Sequence, residues 1–253
     1  MAQRQARLTV IVPCCNNAGV IEPCLQSASW ADELLVVDAF STDGTLEIAR
    51  RYAHRVLQHA YENYAAQNNW AIPQARHEWV LVLDSDERLT PALSAEIRSL
   101  LDRGPRHDGY WIRRDNHLFG RRVRFSGWGG DRVLRLFRRD LARLRAKRVH
   151  AGIALDSTGA LSGRIAHHSV SDMRAWADKV NRYSSWKAED KFQRGARLPV
   201  AQLLLRPPAR LGKDLVLRLG VLDGWRGFLI AAMSAYAELL MAAKLLEKSR
   251  ARR

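Results

Sequence analysis

Cysteine is scarce in this chain: three among 253 residues, Cys14, Cys15 and Cys24, all in the first tenth. Their spacing suits neither a disulfide framework nor a metal knuckle, so the fold depends on neither and a reducing compartment is expected. Long apolar runs are also few, and a transmembrane reading is possible at one place alone. The longest, residues 227–243, lies between Arg226 and Lys244 and contains Glu238, which argues against a span. Residues 1–7 hold two arginines and no apolar core of the kind a secretory leader needs, so the expectation is a cytoplasmic protein. Acidic residues are short only in places. Up to Leu100 there are 8 Lys+Arg against 12 Asp+Glu, a net of −4, whereas the remaining 153 residues hold 33 against 14, a net of +19.

What is present is the composition of a soluble globular chain, 47% hydrophobic and 26% charged, which excludes wholesale disorder and a multi-span membrane protein. A basic half meets phosphate on nucleic acid, on lipid headgroups or on an anionic substrate, and charge alone does not choose among them. The early residues alternate between apolar β-branched runs and helical stretches. Strands are expected at residues 8–13, 34–37, 55–58 and 79–83, with helices between them, the third over about residues 64–75, and Pro91 opening the next. Such alternation predicts an α/β fold: a Rossmann-like, mostly parallel sheet with helices on both faces. Beyond Gly104-Pro105 the texture changes to short strands and Gly-rich turns, and from Asp172 it is helical, with a break expected at Pro207-Pro208. In the last helix Tyr236, Leu239, Leu240 and Ala243 share one face, and Ser234, Glu238, Lys244 and Lys248 the other. The expected divisions are 1–104, 105–171 and a C-terminal amphipathic helical extension, 172–253.

Open parallel sheets bind ligands beyond the carboxyl ends of their strands, which points to Pro13 to Asn16, to Asp38, and to Asp84-Ser85-Asp86-Glu87. Asp84 and Asp86 flank one residue after a buried strand. Either they hold a divalent cation, Mg²⁺ or Mn²⁺, together with a substrate diphosphate, or they form a solvated turn capping the next helix. Asp38 offers a carboxylate to a base or ribose hydroxyl, or caps a helix for which Ser41 and Asp43 are closer. Gln67 and Asn69 are polar in an apolar pattern, an arrangement that is more often structural. Asp131 follows three glycines within four residues and precedes Arg132 and Arg135, which makes it a candidate general base or an ordinary ion-pair partner. His150, His167 and His168 offer metal or phosphate contacts.

Val10-Ile11-Val12-Pro13, Val36-Val37-Asp38 with Ser41-Thr42-Asp43-Gly44-Thr45, and Leu83-Asp84-Ser85-Asp86-Glu87 together resemble the family 2 glycosyltransferases of the GT-A fold. Later segments resemble the branch of bacterial lipopolysaccharide core-biosynthesis glucosyltransferases. They are Gln67-Asn68-Asn69-Trp70-Ala71, Gly127-Trp128-Gly129-Gly130-Asp131, Arg135-Leu136-Phe137, Val149-His150, Asn181-Arg182-Tyr183-Ser184 and Leu222-Asp223-Gly224-Trp225-Arg226-Gly227. The resemblance implies an inverting, metal-dependent transfer of a hexose, glucose from UDP-glucose, to an inner-core sugar such as heptose, or to another anionic glycolipid or polysaccharide. It implies a nucleotide-sugar site at Pro13, Cys15, Asn16, Asp38, Gln67, Asn69, Asp84, Ser85 and Asp86, and a metal on Asp86 and Asp84, with His150 as a further ligand. Asp131 is the implied base, and Arg132, Arg135, His150 and His168 the implied acceptor or phosphate contacts. Three positions depart from the pattern: Cys15 replaces an aromatic, Asn68 a basic residue, and Ala151 a Glu.

Two other classes are weighed. An aspartyl phosphotransferase would carry its Asp-x-Asp after the first strand, and here it follows the fourth. A nucleic-acid binder would interleave aromatics with its basic residues in a recognisable motif, and none is found. The expected partners are a UDP-sugar donor, an anionic glycolipid acceptor and the cytoplasmic face of the inner membrane, where the protein would sit peripherally. The C-terminal helix is expected to pack in the core, to pair two copies of the chain or to dock on anionic lipid.

Overall fold

The computed structural model describes residues 6–142, 153–170 and 172–251; His150 and Ala151 lie outside the described residues. The chain forms two compact units, Met1–Asp115 with Asp131–His167, and Asn116–Gly130 with His168–Arg253, so the stretch 105–171 contributes to both.

The first unit begins with β1 (Leu8–Cys14), α1 (Ile21–Ala28), β2 (Glu33–Asp38), α2 (Thr45–Tyr52), β3 (Arg55–Gln58), α3 (Tyr64–Ala71) and β4 (Trp79–Val82). It continues through β5 (Glu87–Leu89), α4 (Pro91–Arg103) and β6 (Gly109–Leu118), and, after the two-residue strand β7 (Arg121–Arg122) of the other unit, through β8 (Arg132–Arg138) and β9 (Thr158–Val170). The strand order is β3-β2-β1-β4-β8-β6-β9-β5. β3, β2, β1 and β4 are mutually parallel, and β8 then joins β4 antiparallel.

The near-continuous apolar strands divide by the two-residue period between two cores. Val10, Val12, Leu34, Val36 and Leu81 pack with α1 and α4, and Ile11, Leu35, Val37, Val80 and Val82 with α3. Each fully buried Leu or Ile here contributes roughly 1.5–3 kcal/mol, so the central strands are fixed by their own composition. α4 starts as expected, with Pro91 in its first turn and the Thr90 hydroxyl accepting from the Leu93 N–H. The third helix is shorter than expected and tightens into a 3₁₀ turn at Ile72–Gln74, which Pro73 accommodates. The registers set Cys14 opposite Asp38 and Asp38 opposite Gln58, so three strand ends finish in one row.

The second unit holds α5 (Met173–Gln193), α6 (Ala201–Gly212) and α7 (Trp225–Ala251). α6 runs straight through Pro207-Pro208, where a break was expected. Proline's fixed φ is itself helical, and packing of α6 against α7 offsets the lost backbone bonds. A π-helical turn, Lys213–Leu217, and a 3₁₀ turn, Gly220–Asp223, lead into α7. α7 packs through Ile230, Ala231, Met241, Ala242 and Leu245, which are buried, so its inner side is apolar and differs from both faces expected from the sequence. Tyr236 and Leu239 are exposed, while Lys248 pairs with Glu189 at 2.7 Å and Lys244 with the Asn181 carbonyl at 2.8 Å, both on α5.

Candidate donor and transfer site

Among the described residues, every sequence-derived candidate but His168 falls in the first unit. The loop after β1 is laced to the loop after β2. The Asn16 N–H donates to Ser41 Oγ at 2.9 Å, Asn16 Oδ1 accepts from the Thr42 N–H at 2.8 Å, and the Asn17 N–H donates to Thr45 Oγ1 at 2.7 Å. Asn16 itself sits at φ 51°, a left-handed conformation that Asn tolerates. Pro13 is half-buried, and Cys15 and Asn16 are exposed, so this loop presents surface to a ligand.

Asp38 is fully buried. Its carboxylate accepts from the Ser41 hydroxyl, from the Ser41 N–H at 3.0 Å and from Gln58 Nε2 at 3.1 Å. Burial and the Asp38 carboxylate push the Cys14 thiol well above its ordinary pKa, so it stays a neutral donor to Asp38. Gln67 is also buried: its Oε1 meets His59 Nδ1 at 3.0 Å, and His59 stacks on Trp70 at 4.1 Å. Asn68, fully buried, donates to the Tyr64 carbonyl at 2.8 Å. Asn69 is half-buried beside it.

The acidic turn after β4 is built over a buried chain of alternating charge. Glu87 is fully buried and accepts from the Asp84 N–H at 3.0 Å, which fixes the turn. Arg135 donates to Asp84, to Glu87 at 3.2 Å and to the Tyr64 hydroxyl. Arg114 donates to Glu87 at 3.1 Å and to Asp131 Oδ2 through Nε at 2.8 Å and again through its terminal nitrogen. The series is therefore Asp84, Arg135, Glu87, Arg114, Asp131. Burial pushes the Glu87 carboxyl upward, with Arg135 pulling the other way. Burial also opposes the charge on Arg135, but Asp84 and Glu87 outweigh it and raise its pKa.

Asp86 pairs with His167 Nε2 at 3.4 Å, and Ser85 Oγ donates to Asn17 Oδ1 at 3.0 Å. Asp84 and Asp86 side chains keep 27% and 26% exposure, enough to meet a ligand. Among the described residues no group of three or more His, Cys, Asp or Glu is placed to hold a metal unaided. Two hard carboxylates next to solvent fit a cation that takes its other oxygens from a bound diphosphate and water. The donor set therefore fits Mg²⁺ or Mn²⁺ shared with a substrate.

Two expectations are corrected. Arg135 is only 5% exposed and its guanidinium is consumed beneath the acidic turn, so it does not reach an acceptor phosphate. Gln67 is likewise consumed by His59 and orients that ring instead of facing a nucleotide. Arg132 remains exposed at the start of β8. His168 lies in the second unit, stacked on His117 at 4.9 Å, and it is His167 that meets the acidic turn. Sequence reasoning missed Arg114 as well. Its signal was present: Tyr110 and Ile112 are buried at the two-residue period of β6, and Arg114 continues that register.

In the second unit the Gly-rich loop before Asp131 is latched by Asp223. Its carboxylate accepts from the Arg124 N–H at 3.0 Å and the Phe125 N–H at 2.8 Å. A side chain at Gly129 would overlap the Arg124 carbonyl oxygen at 1.6 Å, and one at Gly227 the Gly220 carbonyl oxygen at 1.8 Å. These close approaches account for the two glycine-containing motifs.

Residues 9–156 match the family described as glycosyl transferase family 2. The lipopolysaccharide core biosynthesis glycosyltransferase LpsC of Rhizobium meliloti is 29% identical over 254 residues, covering 95% of this chain and 92% of its own. An uncharacterized glycosyltransferase of Rickettsia prowazekii is 27% identical over 86% of this chain and 79% of its own. Among solved structures, the mannosyltransferase PcManGT of Pyrobaculum calidifontis, in complex with GDP-Man and Mn²⁺, superposes with a TM-score of 0.53 at 17% identity, over 96% of this chain and 88% of that one. S. aureus TarS 1-349 in complex with UDP does so at 0.50 and 18%, over 98% and 92%. At these identities the structural likeness establishes the fold, GT-A.

Proposed function

The chain belongs to glycosyl transferase family 2 and is a nucleotide-sugar glycosyltransferase, and from that premise we propose that it is an inverting, divalent-cation-dependent hexosyltransferase moving glucose from UDP-glucose to a heptose of the lipopolysaccharide inner core. The carrying observation is the single charge series that joins the acidic turn to Asp131. Likeness to LpsC over nearly the whole of both chains supports the lipopolysaccharide acceptor.

In this reading the donor lies over the loops after β1 and β2, against Pro13, Cys15 and Asn16, with Asp38 shaping the floor through Ser41. Asp86 and Asp84 would hold Mg²⁺ or Mn²⁺, which when bound would supply charge neutralisation for the diphosphate leaving group. Both bonds from Arg114 fall on Asp131 Oδ2, so Oδ1 takes the proton of the acceptor hydroxyl. The freed oxygen attacks the anomeric carbon on the face opposite UDP. A glycosidic bond forms, the bond from that carbon to the diphosphate oxygen breaks, and UDP leaves with the electron pair. Exposed Arg132 is placed next to the base for a phosphate of the acceptor. The protein works peripherally at the cytoplasmic face of the inner membrane, where such acceptors are assembled.

The test is UDP release by the purified chain from UDP-glucose, compared with GDP- and dTDP-sugars, using a heptose-bearing core acceptor with Mn²⁺, Mg²⁺ or chelator. UDP-glucose with cation should be preferred, and Asp86→Ala should abolish turnover. Full activity of Asp86→Ala in chelator, or a preference for another nucleotide, overturns the reading.

A further inference from the structure

One element of the helical unit, α6 with the turn after it, turns an apolar face outward. In α6 the exposed positions are 201, 204, 205, 208, 209 and 212, and they continue through the π-helical turn at 213, 216 and 217. That is the spacing of one helix face. It is apolar apart from Lys213, and Leu204, Leu205 and Leu217 are 73%, 66% and 77% exposed. The opposite face carries the ions. Arg206 meets Glu238 of α7 at 3.8 Å, and fully buried Asp214 takes Arg210 at 2.7 Å and Arg218 at 3.0 Å. α7, whose inner side is apolar, also leaves Trp225, Phe228, Tyr236 and Leu239 exposed. The stripe along α6 and its turn is about 25 Å long, far beyond a scatter of single exposed side chains, and contiguous apolar surface of this kind marks an interaction face.

Charge indicates what covers it. Arg194 and Arg197 are exposed ahead of α6, and Lys213 lies within the stripe. Of the four acids of residues 200–251, Asp214 is turned to its arginines, Asp223 to the N–H groups of Arg124 and Phe125 and Glu238 to Arg206, and exposed Glu247 is followed by exposed Arg250. The outward surface is thus apolar and cationic, the complement of an anionic lipid interface. A second copy of the chain would set these cations against one another across a twofold axis.

Residues Trp225–Arg250 are long and apolar enough to cross a membrane by length and composition alone. Their polar side, however, is tied to α6 through Glu238 and to α5 through Lys244 and Lys248, at 2.7 Å for Lys248 with Glu189. A span would break these ties or drag the charged helix α5 into hydrocarbon.

We propose that α6, the turn that follows it and the outer face of α7 lie in the plane of an anionic phospholipid bilayer as a monotopic docking surface. The inference deepens the glycolipid reading above and rests on it for why the enzyme needs a membrane. It is tested by pelleting the full chain with phosphatidylcholine vesicles, pure or carrying about 30 mol% phosphatidylglycerol. The chain should pellet with the anionic vesicles. The double variant Leu204→Glu/Leu217→Glu should bind about tenfold or more weakly, with unchanged melting temperature and unchanged UDP release on a water-soluble acceptor. Lys213→Glu should weaken binding less. Equal binding by the wild type and the double variant, or no pelleting with either vesicle, overturns the proposal. A dimer at sedimentation equilibrium that the same double variant dissociates would assign the face to a second copy and overturn it too. Vesicle binding that is intact in a chain releasing UDP from no donor supports docking while removing the reaction assigned above.

Discussion

Both units bury ions, but beneath opposite surfaces. In the sheet unit the series from Asp84 to Asp131 lies under polar ground: Asp86, Asn16 and Arg132 reach solvent, and apolar side chains fill the two cores. In the helical unit the pairs of buried Asp214 lie on the side of α6 and its turn opposite exposed Leu204, Leu205 and Leu217. A buried ion pair rarely adds net stability over an apolar replacement, so each set calls for a purpose other than holding the fold. In the first unit the proposed purpose is to aim carboxylates at a ligand, and in the second it is to hold α6 with its apolar face outward.

The comparison breaks first at Asp131. Asp131→Asn keeps the shape and removes the base, so turnover should fall by roughly 10²–10⁴ while the thermal shift produced by UDP-glucose with Mn²⁺ stays as in the wild type. Turnover within a few fold of wild type would return Asp131 to a plain partner of Arg114. Next comes Arg135→Leu. It leaves Glu87 and Asp84 without their shared cation in a buried place, and should cost about 3–5 kcal/mol in urea unfolding together with the donor-induced shift. A loss of stability with donor binding intact would separate the buried series from the site.

The contrast extends to what was readable in advance. The central strands were legible because Val10, Leu35, Val36 and Leu81 are apolar on both faces, a pattern that only a covered sheet explains. Asp84 and Asp86 stood out as acids directly after a buried strand, costly without a partner, and Asp131 as a carboxylate between a Gly-rich loop and two arginines. Arg114 and Arg135 were not, since an arginine in a strand reads as an outward residue until the acid beneath it is known. β9 was missed because Gly159, Gly163 and two adjacent histidines blur its alternation. In α7 the sequence pattern showed that two faces differ and left open which one is covered; the buried side is the one carrying Ile230, Ala231, Met241, Ala242 and Leu245.

A smaller effect is expected from Asp223→Ala in the helical unit. It strips the partners from the Arg124 and Phe125 N–H groups, a loss of about 1–3 kcal/mol. Because the latched loop leads directly into Asp131 along the chain, the Michaelis constant for the acceptor should rise while donor affinity is unchanged. A variant that loses donor affinity instead would move the latch into the donor site.

The smallest effect belongs to a buried ion at the other end of the sheet. Glu33, at the amino end of β2, accepts from Thr9 Oγ1 and the Arg76 N–H, both at 2.8 Å, and pairs with Arg55 at 2.9 Å. Burial works against its charge, and the hydrogen bonds from Arg76, Arg55 and Thr9 outweigh burial, so its carboxyl is held below the ordinary value of 4.5. A carboxyl whose pKa is lower in the folded chain binds fewer protons there than when unfolded. Its stabilisation is therefore complete above pH 4.5 and fades as the pH falls below that value toward the folded-state pKa. Glu33→Gln should cost about 1 kcal/mol at neutral pH, and its unfolding curve should converge on that of the wild type in acid, with UDP release untouched throughout. A cost that persisted unchanged in acid would mean that packing, not charge, holds Glu33. A fall in turnover would mean that buried ions anywhere in the sheet, and not the series under the acidic turn alone, set the site.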